Sequence, residues 1–193
     1  MGLASLISDL DNKLRAFSTR LHDDLGIEPQ ASTQLASTIL SDVRNLPLDK
    51  IPTLIGDCPI SLKDRFDSLN TLLIWMERGK DEKFTYGGIL ALNYMCFIYL
   101  GDGCFKILRK ELPSDSVARK CCQALTDNPV RAFRNALAHG NWRISLDSSG
   151  IDFWAKKGSD PTEPMSRWRF SEMDLHFWQY LSIATAVATM AAL

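Results

Sequence analysis

The sequence predicts a mainly α-helical domain: an antiparallel helical bundle carrying a small β-hairpin toward its C-terminal end. Three observations lead there. Apolar residues recur at three- and four-residue steps over most of the 193 residues. Two such stretches open on a Ser–Asp pair spaced as a capping box, Ser61 with Asp64 and Ser171 with Asp174. Period-two alternation appears after Gly140, in Trp142, Ile144 and Leu146 and again in Ile151, Phe153 and Ala155, around a Ser148-Ser149-Gly150 turn.

In chain order, Leu3, Leu6, Ile7, Leu10, Leu14, Phe17, Leu21 and Leu25 form one apolar helical stripe that Gly26 stops. A second helix is expected over about Ala31 to Leu46. Pro47, Pro52 and Pro59 with Gly56 mark the next stretch as a connecting loop. A helix then runs from the Ser61 box to Gly79, and another starts near Tyr86. Gly101 and Gly103 predict a bend before Lys106 to Leu112, and Pro113 separates a segment of about Ser114 to Thr126. Asn128 as N-cap, Pro129 in the first turn and Gly140 as stop delimit the next helix. The hairpin follows, then a loop from Lys156 to Pro164, then a final helix from the Ser171 box. Phe177 to Leu193 is long and uncharged but rich in Ala, Ser and Thr, so it reads as a buried core helix rather than a membrane anchor.

Bulk properties narrow the function classes. The apolar share of 46% and charged share of 23% fit one globular domain with its own core. A net charge of −1 excludes a surface that coats nucleic acid indiscriminately. The charge is unevenly placed: residues 1–60 hold five basic and eight acidic residues, whereas 106–143 hold eight basic and three acidic. A phosphodiester partner would be drawn to the second region. The five cysteines, Cys58, Cys96, Cys104, Cys121 and Cys122, include no C-x-x-C pair and read as reduced thiols. Asp9 and Asp11 break up the N-terminal apolar run, so no secretory signal is read there. A cytoplasmic protein without membrane contact, cofactor or metal site is the expectation.

The basic region contains Arg134-Asn135-Ala136-Leu137-Ala138-His139, followed by Gly140-Asn141-Trp142. This string resembles the Arg-x4-6-His signature of HEPN-domain ribonucleases, helical bundles that pair two motifs across a homodimer to cut RNA without a metal. The resemblance covers about Ser61 to the C-terminus, residues 61–193, and leaves residues 1–57 as an added helical segment packed on the bundle. It places Arg134 and His139 in the catalytic positions and Asn135 in the polar position after the Arg. Asn141 stands beside them as a supporting residue, and Arg131, Trp142 and Arg143 as candidate RNA contacts. Trp142 has a second reading, packing against its own bundle, which the burial preference of aromatics favours, and Trp154, Trp168 and Trp178 are expected in the core on the same ground. The implied setting is a toxin, defence or stress system, with a homodimer, RNA and an inhibitory protein as partners. One feature departs from the family: toxins neutralised by nucleotide transfer carry a Tyr two residues after the His, where this chain has Asn141.

The chemistry is coherent on the residues alone. RNA supplies its own nucleophile, the 2′-OH, and an imidazole with an unperturbed pKa of ~6.5 can move protons at neutral pH. A guanidinium offers a permanent forked charge to the phosphorane. Five residues on a helix turn about 140°, so Arg134 and His139 lie on different faces, while Asn135 and His139 share one. One motif histidine per chain, where acid–base cleavage benefits from two, is the physical reason to expect a two-fold dimer. The competing function is a non-catalytic HEPN module that dimerises and binds RNA or protein.

Overall fold

The computed structural model describes residues 3–55, 58–67, 91–145, 149–156 and 162–193. Its architecture is mainly helical, with one two-stranded and one three-stranded antiparallel sheet. The N-terminal stripe forms two helices, α1 (Leu3–Arg15) and α2 (Ser18–Leu25), rather than one. The chain turns at Phe17, whose ring packs 5.3 Å from Phe177. Gly26 ends α2 at φ 62°, its N–H bonding to the His22 carbonyl at 2.9 Å while Ile27 bonds back to Leu21 at 3.1 Å. That is a left-handed stop of the kind glycine supplies without strain.

The second expected helix is likewise divided, into α3 (Pro29–Ser32) and α4 (Leu35–Val43). The start of α4 is capped from a distance: buried Asp11 of α1 accepts from Ala36 N at 2.6 Å and from Ser37 Oγ at 2.9 Å. A carboxylate there satisfies N–H groups that the helix leaves unpaired and suits its positive end.

The proline-rich stretch expected to be a loop instead forms a hairpin, β1 (Pro52–Ile55) with β2 (Cys58–Ser61), in register Pro52↔Ser61 through Ile55↔Cys58. Proline is tolerated because a two-stranded sheet has only edge strands, where a missing N–H can face away from the partner. The Ser61–Asp64 capping box is formed, with Asp64 N donating to Ser61 Oγ at 3.0 Å and Ser61 N to Asp64 Oδ2 at 3.1 Å. It opens α5 (62–67); the expected Gly79 stop and the helix start near Tyr86 lie outside the described residues.

Helix α6 (91–111) contains π-helical turns at Tyr94–Tyr99 and Gly101–Phe105 before the α-helical Lys106–Glu111. The two glycines therefore do not break the helix. At Gly103 the reason for glycine is space: a Cβ would overlap the Arg65 guanidinium, which packs over the Tyr99 ring at 4.9 Å. Helix α7 (Val117–Thr126) is capped by Ser116 Oγ, which accepts from Arg119 N at 3.2 Å, and by Asp42 of α4, which accepts from Ala118 N at 2.8 Å. Helix α8 (Val130–His139) starts after a cis Asn128–Pro129 bond, with Pro129 rather than Asn128 at the cap position.

The expected hairpin is part of a larger sheet. Strands β3 (Trp142–Ile144) and β4 (Gly150–Ala155) pair as expected, and β5 (Ser166–Ser171) adds a third strand in the order β3-β4-β5. The Ser171–Asp174 box opens α9 (Glu172–Ala191).

Helix α9 is the centre of the core. Phe177, Leu181, Ala184, Val187 and Ala188 are buried, and so are Ser182, Thr185 and Thr189. The hydroxyls are satisfied internally: Ser182 donates to the Cys96 carbonyl at 2.9 Å, Thr185 to Leu181 at 2.8 Å and Thr189 to Thr185 at 2.7 Å. Small residues let α1, α4, α6 and α7 approach α9 from several sides. One continuous cluster runs from Ile7 to Met190, so the N-terminal helices share the core of the remaining chain. No described helix is long and apolar enough to cross a membrane. Cys96, Cys104, Cys121 and Cys122 are free and buried, and burial pushes the Cys96 and Cys104 thiols up to about 12.

Candidate functional site

The motif helix is held by its apolar side. Val130, Ala132, Phe133 and Ala136 of α8 are buried. Phe133 sits in an aromatic cluster, its ring 5.3 Å from Phe97 of α6, 5.0 Å from Phe153 of β4 and 5.0 Å from Phe170 of β5. Contacts to a helix and to two strands leave α8 little freedom to roll. Its other side carries Arg131, Arg134, Asn135 and His139.

Arg134 is half-buried and fixed at both edges of its guanidinium. Its Nη1 donates to the carboxylate of Asp102, on the second π-helical turn of α6. Its Nε and Nη2 both donate to the Asn135 side-chain oxygen, at 3.2 and 2.6 Å. The polar residue after the motif Arg thus acts as its clamp. The guanidinium borders a cleft of about 300 Å³ between α6, α7 and α8, also lined by Asp102, Lys106, Arg109, Asp127 and Arg131. Arg109 is paired with Asp127 at 2.9 Å and also donates to Thr126 at 3.2 Å. The side chains of Lys106 and Arg131 have no hydrogen bond or ion pair among the described residues. Four cations against two carboxylates leave the cleft with a positive surplus, suited to an anion.

His139 lies elsewhere. It is exposed, the last residue of α8, and its imidazole has no hydrogen bond among the described residues. Gly140, at φ 70°, reverses the chain, with Asn141 N bonding to the Ala136 carbonyl at 2.9 Å. This is the 6→1 closure of a left-handed helix stop. It leaves His139 at the corner between helix and sheet. The structure therefore brings Arg134 and Asn135 together and leaves His139 apart within one chain, as the 140° rotation requires.

The remaining candidates divide. Arg131 lines the Arg134 cleft. Asn141 is held through its backbone, its carbonyl accepting from Trp154 N at 3.0 Å, which continues the β3–β4 ladder toward the motif. Trp142 is half-buried and packs against the core. Arg143 is exposed on the sheet and leans toward Asp152 at 3.4 Å. Trp168 and Trp178 pack in or against the core, but Trp154 lines a cleft on the outer face of the sheet instead. Asp102, Lys106 and Arg109 escaped the sequence reading as site residues, because nothing local ties them to a motif some thirty residues away. Among the described residues no group of three or more His, Cys, Asp or Glu is arranged to hold a metal ion.

No protein-family model matches the chain, and no curated protein or solved structure matches it either.

Proposed function

We propose that the protein is an endoribonuclease of HEPN type that cleaves RNA by attack of the 2′-OH on the adjacent phosphate, without needing a metal. The observation that carries this reading is Arg134. It is clamped by Asp102 and Asn135 at the edge of a cation-rich cleft, on the same short helix whose end presents an imidazole with no hydrogen bond among the described residues. A neutral His139 would take the 2′-OH proton as the 2′-oxygen bonds to phosphorus. A protonated imidazole would give its proton to the departing 5′-oxygen. Arg134 would stabilise the negative charge that builds on the phosphorane between those events. The products are a 2′,3′-cyclic phosphate and a free 5′-OH.

Two imidazoles serve this scheme, and each chain offers one at the motif. A two-fold dimer with the 128–142 region at or beside its axis would bring both together. Such a dimer also relieves the separation of Arg134 from His139 within one chain, since the partner copy can complete the site.

Cleavage of single-stranded RNA by the purified protein, lost in both Arg134→Ala and His139→Ala, tests the reading. Mixing and re-equilibrating the two inactive variants tests its composite form. If each site takes its Arg from one copy and its His from the other, about a quarter of the parent activity returns, from mixed dimers with one intact site. No return means either that both groups act from the same chain or that each cut uses both imidazoles of the dimer. The second reading, a non-catalytic module, draws on the same cationic cleft. It predicts RNA binding that survives His139→Ala, with no cleavage by either form.

A further inference from the structure

Among the described residues, the three-stranded sheet buries one face and leaves the other open. Ile151, Phe153 and Ala155 of β4 point into the core. The intervening residues, Asp152 and Trp154, therefore lie on the outer face. Register places Arg143 of β3 and Arg169 of β5 on either side of Asp152, and Arg167 of β5 opposite Trp154. Together with Met165 these residues line an open cleft of about 710 Å³.

The chemistry of that cleft is specific. The three arginines are exposed, Met165 is 50% exposed, and Trp154 is half-buried with its backbone locked in the ladder. Arg143 leans on Asp152, and Arg169 donates to Ser149 at 2.5 Å. Arg167 makes no hydrogen bond or ion pair among the described residues. Three guanidiniums, one carboxylate and an indole suit a chain of alternating phosphates and flat bases. Guanidinium forks pair with phosphate, and an indole can stack any unpaired base. A second copy of the same face is a poor occupant, because an isologous contact would bring two surfaces of positive surplus together. The face lies close to the end of the motif helix along the chain, since Trp154 N bonds to the carbonyl of Asn141, two residues beyond His139, while α8 itself packs on the buried side of the sheet through Phe133.

We propose that this outer sheet face binds single-stranded RNA, with an unpaired base on Trp154 and neighbouring phosphates on Arg143, Arg167 and Arg169. The inference rests on RNA being the ligand of the motif, as proposed above, but not on cleavage.

The test uses the full chain carrying His139→Ala, so that bound RNA is not consumed. Binding of a fluorescent single-stranded RNA oligonucleotide and of its duplex is measured over a range of salt concentrations. Added Trp154→Ala weakens single-strand binding about tenfold or more, and Trp154→Phe, which keeps a stacking ring, restores most of it. Arg167→Ala with Arg169→Ala lowers the salt slope by about 1.4, as expected for two phosphate contacts on a single strand. Unchanged binding by Trp154→Ala, equal affinity for duplex, or no RNA binding at all overturns the proposal. So does conversion of a dimer to a monomer by Trp154→Ala, which would make the face a contact between copies. The two readings fail separately. Cleavage by the parent with unchanged Trp154→Ala binding removes only the platform, whereas Trp154-dependent binding without cleavage by the parent removes only the ribonuclease.

Discussion

Asp102 of α6 accepts the guanidinium of Arg134 on α8, so the cation of the motif is held by a residue thirty-two positions away in the chain. In the proposed reaction Asp102 would be a positioning residue: it touches Arg134, and the Asn135 amide oxygen completes the clamp. A partly exposed pair of this kind adds little to stability, about 0–1 kcal/mol. Its consequence lies in aiming the charge. Asp102→Ala is expected to lower kcat about tenfold with KM changed less than about twofold, the signature of a contact that matters chiefly in the transition state. Its melting temperature stays close to the parent's. Faster cleavage by the variant would instead mean that the carboxylate masks the cation.

Phe133 and Arg134 are neighbours with opposite duties. Phe133 is fully buried among Phe97, Phe153 and Phe170, and its truncation leaves a cavity where α8, α6 and the sheet meet. Phe133→Ala should cost roughly 3–5 kcal/mol. Arg134→Ala, at the border of a solvent-filled cleft, should cost about 0.5–1 kcal/mol. Denaturant unfolding of the two variants checks the contrast. Similar losses would make Arg134 a structural residue.

Acid sensitivity should centre on the start of α9. Burial raises the Asp174 carboxyl, but hydrogen bonds from the Ser171 side chain and backbone, with Arg20 at 2.7 Å, outweigh it and hold the group below its usual range. Arg20 itself packs over the Phe177 ring at 4.3 Å. A carboxyl lowered on folding contributes stability that is fully present above its unfolded value, ~3.9, and is lost as pH falls through the folded one. Asp174→Asn should therefore be less stable than the parent near neutrality and converge with it in acid. Parallel stability–pH curves would show that Asp174 has no such part.

Local signals were legible in the sequence, and distant ones were not. The Ser61–Asp64 and Ser171–Asp174 boxes and the stops at Gly26 and Gly140 are contacts within a few residues, and each formed where the sequence placed it. The Arg134–Asn135 clamp is equally local. Asp11 reads on its own as a charge interrupting an apolar run, because its role as the cap of α4 exists only once α1 and α4 pack. The Asp102–Arg134 pair is hidden for the same reason. Prolines at 52 and 59 signalled a loop, and the hairpin formed because an isolated pair has no interior strand to disturb. Trp154 was expected in the core by the burial habit of its residue type. Strand register, which alternation alone does not fix, set it on the outer face opposite Arg167.

In the proposed reaction Arg134 and His139 direct the RNA 2′-OH onto its own phosphate. The most direct measurement is the identity of the products formed from a short single-stranded RNA in the presence of EDTA, resolved by mass spectrometry. A matched substrate carries one 2′-O-methyl group at the cleavage position, and His139→Ala protein serves as control. The expected result is a 2′,3′-cyclic phosphate and a 5′-OH from the unmodified RNA, no cut at the methylated nucleotide, and a loss of about a hundredfold or more in rate for His139→Ala. Cleavage at the methylated position, or 5′-phosphate products that appear only with Mg²⁺, would contradict it.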